Sequence, residues 1–266
     1  WSDELLDAAE NLRFIQVCAA GYDRFGLDAL RECGVPLANG SGVNRNAVSD
    51  HAMALLLALV RHVHTGRDRQ REHAWRGMIS DLGRREEELA GKTMLIYGLG
   101  SIGSRLARLA RAFDMTVIGI KRDVASHDGS ADEVRSPDRF LESLAEVDVV
   151  ALTCPLTPQT ENLVDVDALE RMKPGAYLIN VARGRCVNEP DLAAALERGA
   201  IAGAGIDTAW EEPLAPDSAL WDLENALITP HTAGETRQYE DNVVDILLEN
   251  IRRLQRGEDA LVNGIV

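Results

Sequence analysis

Lysine is nearly missing from this 266-residue chain: Lys92, Lys121 and Lys173 are the only three, so 25 of the 28 basic residues are arginine. Set against 43 acidic residues, this gives a formal net charge of −15. Such a surface repels a phosphate backbone rather than steering it in, so nucleic acid is not an expected partner. The imbalance has two readings, an acidic surface adapted to high salt or a genome rich in arginine codons, and composition leaves both open. Long hydrophobic runs are missing too. The longest, residues 52–60, is far too short to span a bilayer, and no basic-then-apolar leader precedes it. Neither a membrane nor an exported protein is expected; the expected location is cytoplasmic. The four cysteines, Cys18, Cys33, Cys154 and Cys186, form no CxxC and no His-rich metal spacing. They are read as reduced, buried thiols, with no metal site. There is no internal repeat. The first residue is Trp1 and not methionine, so further residues are expected ahead of it.

What is present is the composition of a globular chain, 45% hydrophobic and 27% charged, long enough for two modest domains. Residues 3–11 look helical, 14–19 strand-like, 27–33 helical with Gly34 as a stop, and 35–38 strand-like. Asn39-Gly40-Ser41-Gly42 is loop chemistry and a candidate hinge. Residues 46–64 read as one long helix, apolar on nearly every side, as expected of a helix buried against both a core and a second subunit. From residue 93 the pattern becomes regular. Apolar runs recur at 93–97, 116–120, 147–153, 176–181, 201–206 and 226–229, separated by helical patterns or loops, and a last helix is expected over 234–255. Continuous apolar strands alternating with helices imply an α/β fold, a doubly wound parallel sheet covered on both faces.

The segment GLGSIG, with Gly98, Gly100 and Gly103, follows the strand TMLIY and opens the helix SRLARLARAF. In that context the three glycines have separate physical uses: a tight turn, close approach of a diphosphate to the backbone, and close packing of helix on strand. A dinucleotide on the helix N-terminus is expected. The second strand usually ends in an acid that binds the ribose hydroxyls of NAD; here it ends in Lys121 and Arg122, 18 and 19 residues past Gly103. Two cations there suit a 2′-phosphate, so NADP(H) is expected in preference to NAD(H). The alternative is that both are solvated and Asp123 takes the ribose one position late.

Three segments at the ends of later strands carry candidate chemistry: NVARGR with Arg183, GIDTAWEEP with Glu212, and TPHTAG with His231. Ligands of open parallel sheets bind at such strand ends, so the three can share one cleft. Arg183 can grip the carboxylate of a 2-keto acid through two parallel hydrogen bonds and polarise the adjacent carbonyl. His231 can exchange a proton with the carbonyl oxygen as hydride moves. Glu212, if paired to the imidazole, would orient it and favour its charged form.

With these motifs in hand the chain resembles the D-isomer-specific 2-hydroxyacid dehydrogenase family over essentially its whole length. AGYD, NGSGVNRNAVSDH, GLGSIG, LTCPLTPQTENLV, MKPGAYLINVARG, AGAGIDTAWEEPL and TPHTAG occur in the family's order and at family-like spacing. The resemblance implies that Arg183, Glu212 and His231 are catalytic. It implies cofactor contacts at Gly100, Ser101, Ile102, Gly103, Pro155 and Asp207, and substrate contacts from the backbone at Ala20 and Gly21. It implies a Rossmann dinucleotide-binding domain, residues 44–232, and a smaller, discontinuous, flavodoxin-like substrate domain, residues 1–43 and 233–266, whose first part precedes Trp1. It also implies a homodimer. The expected activity is NADPH-dependent reduction of a small 2-keto acid to the D-2-hydroxy acid. The alternatives are glyoxylate or hydroxypyruvate reduction or, in another class, a dinucleotide-sensing regulator of the same fold. Two departures stand out: Asp50 where glutamate is common, and the Lys121-Arg122 pair.

Other polar residues have plainer readings. His51, His62, His64, His73 and His127 lie on helices or polar loops and are read as structural or solvated. Cys154 and Cys186 flank the functional segments as buried spacers. Trp210 and Tyr22 either line a pocket or pack, Arg185 is undecided, and residues 84–88 form a solvated connector.

Overall fold

The computed structural model describes residues 1–2, 4–9, 11–22 and 24–266. Asp3 and Glu10 of the first expected helix and Asp23 of the AGYD motif lie outside the described residues. In chain order the elements are α1 (Glu4–Ala8), β1 (Ile15–Gln16), α2 (Leu27–Cys33), β2 (Leu37–Ala38), α3 (Arg45–Val60) and α4 (Val63–Arg71). There follow β3 (Thr93–Tyr97), α5 (Ser101–Ala112), β4 (Thr116–Ile120), β5 (Glu133–Arg135), α6 (Phe140–Ser143) and β6 (Val149–Leu152). The last are α7 (Val166–Arg171), β7 (Tyr177–Asn180), α8 (Glu189–Glu197), β8 (Gly203–Ile206), β9 (Ala226–Ile228) and α9 (Tyr239–Gln255). The chain divides into two compact units, residues 1–45 with 234–266, and residues 46–233.

The larger unit is built on a seven-stranded sheet in the order β5-β4-β3-β6-β7-β8-β9, parallel at every pairing. Successive side chains of a strand point to opposite faces, and here both faces are buried. Met94, Ile96, Val149, Ala151 and Ile179 pack on one side with α3 and α5 residues such as Leu56, Leu106 and Ala110. Leu95, Tyr97, Val150, Leu152 and Leu178 pack on the other with Phe140, Leu169 and Leu196. This is why the strands read as unbroken apolar runs: a sheet covered on both sides needs no polar alternation. The edge strand β5, GluValArg in sequence, has no apolar run to announce it, and its pairing with β4 rests on backbone hydrogen bonds over three residues.

The long helix expected over 46–64 ends at Val60 instead. His62 takes a left-handed backbone with φ 51°, and a second helix, α4, comes after it with no buried residue. The His64 ring bonds the carbonyl of Ala58 at 2.9 Å, satisfying an acceptor at the end of α3 and stabilising the break. The apolar period stops at Val60 as well, since Arg61, His62, Val63 and His64 beyond it join no core. One face of α3 is buried, while Ala54 on the other is exposed and Leu57 and Ala58 are half-buried.

The smaller unit holds a two-stranded parallel sheet, β1 with β2, around Leu30, Val35 and Leu37. Gly34 closes α2 in the left-handed conformation at φ 66°, as its position in the sequence requires. The C-terminal end of the chain returns to this sheet: Ile265 N–H donates to the Leu37 carbonyl at 2.7 Å. Asn250 of α9, fully buried, donates to Gln16 Oε1 at 2.9 Å and accepts from Val262 N–H at 2.7 Å. The helix expected from residue 234 starts at Tyr239. All four cysteines are free thiols, and Cys154 and Cys186 are buried as expected. Cys18 and Cys33 are exposed instead. Cys33 closes α2 beside Arg31 and Glu32 on its solvent side, and Cys18 lies past the end of the short strand β1.

Candidate active site

Between β3 and α5 the whole turn is Gly98-Leu99-Gly100. Gly98 has φ 109°, a region that side chains rarely enter. A Cβ on Gly103 would stand 2.1 Å from the Gly98 carbonyl oxygen, so helix and strand close on each other only because that position has no side chain. Thr153 Oγ1, at the end of β6, donates to the same carbonyl at 2.8 Å. Gly100 is different in kind, because nothing lies within 4 Å of where its Cβ would be. The backbone there is open, at the first turn of a helix whose leading N–H groups have no intrahelical acceptor.

A cavity of about 600 Å³ adjoins this turn. Its walls come from the ends of three strands adjacent in the sheet: Tyr97 to Gly100 after β3, Ile120 to Asp123 after β4, and Thr153 to Pro155 after β6. The strand order reverses there, which is where open α/β sheets bind ligands. Lys121 and Arg122 both line the cavity; the Lys121 ammonium donates to the Ser126 carbonyl, and Arg122 is exposed. Pro155 lines it as well, its carbonyl held by Thr160 Oγ1 at 2.7 Å. Ser101 is exposed on the first turn of α5, and Ile102 is half-buried against the sheet. Burial raises the phenol pKa of Tyr97 in the cavity wall. A hydrogen bond with Cys186, together with burial, pushes the Cys154 thiol far above its ordinary range. Open backbone at Gly100, a helix N-terminus and two cations beside one cavity make a set of groups that fits a dinucleotide.

The loops after β7, β8 and β9 leave three neighbouring strands in succession, so they stand side by side. Asn180, ending β7, shapes the first: its amide donates to the Arg183 carbonyl at 3.0 Å and accepts from Ala182 N–H at 3.1 Å. Gly184 lies hard against the next loop, since a Cβ there would be 1.7 Å from the Ala209 carbonyl oxygen. Arg183 is thereby fixed beside the loop that carries Glu212. That carboxylate uses both oxygens, Oε1 accepting from Ala209 N–H at 3.2 Å and Oε2 meeting His231 Nδ1 at 2.8 Å. Both side chains of the pair are about two-fifths exposed.

His231 itself has φ 55°. A left-handed non-glycine residue costs on the order of 1–3 kcal/mol and persists only where its surroundings hold it. What holds it is Asp207, which directly follows β8 and is 2% exposed. Its Oδ1 accepts from Thr229 Oγ1 at 2.6 Å and from Thr232 N–H at 3.0 Å, and its Oδ2 accepts from Ala233 N–H at 3.0 Å. The carboxylate of Asp207, expected as a cofactor contact, thus accepts from the Thr229 hydroxyl before His231 and from two backbone N–H groups after it. Ala20 and Gly21 stand in the smaller unit, after β1, with the Ala20 carbonyl accepting from Asn39 Nδ2 at 2.6 Å.

Asn180, Thr153 and Thr229 carry none of the expected chemistry and were not legible as site residues, because each acts through a backbone or side-chain partner that sequence does not reveal. Arg185 stacks on Trp210 with its guanidinium carbon 5.4 Å from the ring centroid and pairs with Glu161 at 2.6 Å.

Known proteins resemble this chain in both sequence and fold. The family pattern described as D-isomer specific 2-hydroxyacid dehydrogenase, NAD binding domain, matches residues 53–233. A glyoxylate reductase of Pyrococcus furiosus is 36% identical over 262 residues, spanning 96% of this chain and 76% of that protein. The solved TT0316 protein of Thermus thermophilus superposes with a TM-score of 0.87 at 35% identity, covering 99% of this chain and 82% of its own. An acyclic imino acid reductase solved with NADPH and D-Arg also reaches 0.87, at 26% identity, covering 100% of this chain and 82% of its own.

Proposed function

This chain belongs to the D-isomer-specific 2-hydroxyacid dehydrogenase family of NAD(P)-dependent enzymes, and we propose that it reduces a small 2-keto acid to the D-2-hydroxy acid with NADPH. The larger unit is taken as the dinucleotide-binding domain and the smaller as part of the substrate domain. The observation that carries the reading is the 2.8 Å pair of Glu212 and His231 beside the Arg183 loop.

An ionised carboxylate only accepts, so the His231 nitrogen facing Glu212 carries a proton, and Nε2 is the ring atom left to exchange one with the substrate oxygen. Glu212 stops the ring from turning. Arg183 binds the substrate carboxylate in a fork and presents one face of the carbonyl. Gly100 and the first turn of α5 would hold the diphosphate, and Lys121 with Arg122 the 2′-phosphate. A bound nicotinamide supplies hydride in the reductive direction and accepts it in the oxidative one. His231 gives up its Nε2 proton as the alcohol forms and recovers it from solvent or, in reverse, from the substrate hydroxyl.

Glyoxylate and hydroxypyruvate are the first acids to test, given the glyoxylate reductase among the relatives. NADPH as cofactor is supported by the two cations in the cavity wall and by the NADPH-bound neighbour. A homodimer is part of the same proposal: Trp75, Met78 and Leu82, exposed in the segment after α4, are apolar groups that a second copy would cover. The direct test mixes the protein with NADPH, then NADH, and a panel of 2-keto acids, following nicotinamide absorbance and the chirality of the product. Consumption of NADPH with formation of a D-product is expected. Tight cofactor binding without turnover on any acid would replace the enzyme with a dinucleotide sensor.

A further inference from the structure

His51 lies on α3 and read from sequence as one of five bland histidines, yet it reaches the loop that carries His231. Its Nε2 is 2.8 Å from Thr229 Oγ1 and 3.5 Å from Asp207 Oδ1. The proton count along this line fixes every direction. Thr229 has one hydroxyl hydrogen, and it goes to Asp207 Oδ1 at 2.6 Å, because a carboxylate can only accept. The Thr229 oxygen is then free only to accept, so His51 must donate from Nε2. The result is a one-way chain from His51 through Thr229 to Asp207.

Asp207 is the far end of that chain and also the clamp on the catalytic loop. Its two oxygens receive Thr232 N–H and Ala233 N–H, while Thr229 N–H bonds the Ile206 carbonyl at 2.9 Å. His231 sits between these anchors in its left-handed conformation, its own N–H turned back to the Thr229 carbonyl at 3.0 Å. If the imidazole of His51 is removed, Thr229 Oγ1 loses its donor and can turn away from Asp207. The carboxylate, 2% exposed, then has a partner missing at the point that fixes where His231 stands.

We propose that His51 is a positioning residue for the proton-transfer step, holding Thr229 and Asp207 so that the loop presents the His231 imidazole. This rests on His231 being the acid–base of the site. His51 touches neither substrate nor cofactor in this scheme; it acts from the helix side of the sheet, through a hydroxyl and a carboxylate. The role requires an N–H at the Nε2 position and no charge. Glutamine can place an amide N–H there, whereas asparagine is too short.

The test compares His51→Ala, His51→Asn and His51→Gln with Thr229→Val and the double variant His51→Ala/Thr229→Val in the full-length protein. NADPH affinity is read by fluorescence titration, and kcat and KM with whichever 2-keto acid turns over. His51→Ala and Thr229→Val should each lower kcat by about 10–100-fold, as small misplacements of a reacting group do, with NADPH affinity held within about 3-fold. The double variant should lose no more than either single one, because both break the same chain. His51→Gln should recover most of kcat, and His51→Asn should not. Equal losses for Gln and Ala, multiplying losses in the double variant, or an unaffected His51→Ala would overturn the proposal. If the alanine variant does not fold, the Gln and Asn pair decides alone, since the proposal requires them to differ. His231→Ala is the reference arm: full turnover there would remove the underlying reading, whereas its loss beside an intact His51→Asn removes only the role of His51.

Discussion

Glu212 and His231 meet at 2.8 Å from loops that leave two neighbouring parallel strands, β8 and β9. Neither is buried, so the pair has no desolvated environment to make it strong, and its value lies in orientation. Glu212→Gln leaves an acceptor for Nδ1 while removing the charge; Glu212→Ala removes both. Steady-state kinetics should show a smaller fall in kcat for Gln than for Ala, the latter about 100-fold or more. KM for the keto acid should move little in either. Equal and slight effects would mean that the imidazole is oriented by something else.

The nucleotide end of the cavity makes a separate prediction. Changing Lys121 and Arg122 together to glutamine should weaken NADPH binding by on the order of 10–100-fold, the scale of losing charge-assisted hydrogen bonds to a phosphate. NADH, with no 2′-phosphate, should bind much as before. Parallel titrations of the two cofactors read the difference directly. A common loss for both would leave the cations with no part in telling them apart.

Two glycines a turn apart should fail in opposite ways. Gly103→Ala places a Cβ 2.1 Å from the Gly98 carbonyl, so its thermal unfolding midpoint should drop even with no cofactor present. Gly100→Ala has open space and a φ of −87° that alanine accepts, so its midpoint should match the parent. Its cofactor affinity should fall, because the methyl group occupies the approach to the helix N-terminus. Normal cofactor affinity in Gly100→Ala would place the diphosphate elsewhere.

How much of this was legible beforehand depends on the partners of each residue. Thr93 to Tyr97 and Thr116 to Ile120 were readable as strands to the residue, because both faces of each are buried and the apolar run has the strand's own length. Glu133 to Arg135 was not, since an edge strand paired on one side needs no such run. The end of α3 was misplaced because His64 caps it from beyond the break, a contact that no periodicity encodes. Arg183, Glu212 and His231 were candidates from residue type at strand ends, and the structure places Glu212 and His231 2.8 Å apart. His51 was not, because a histidine on a helix gives no sign that it lies opposite Thr229, 178 residues away.

Stability in acid should depend on Asp148. It stands just before β6: Oδ2 accepts from Thr93 N–H of β3 at 2.8 Å and Oδ1 from the ammonium of Lys173, which precedes β7, at 2.9 Å. Burial works to raise its pKa, but the Thr93 bond and Lys173 together outweigh it, and the pKa is lowered. A lowered carboxylate adds stability above its ordinary value of 3.8 and loses it as pH falls through the lower folded value. Asp148→Asn should therefore be less stable than the parent near neutrality, by about 1–2 kcal/mol. Denaturant titrations should show the gap closing as the solution is acidified below that ordinary value. A gap that is constant with pH would assign the loss to packing.

The most direct measurement is of His231→Ala, taken as turnover and cofactor affinity on the same preparation. Turnover of a 2-keto acid should fall by about 10²–10⁴-fold, while NADPH binds as tightly as to the parent. Turnover that survives, or a loss that tracks a loss of NADPH binding, would contradict the account.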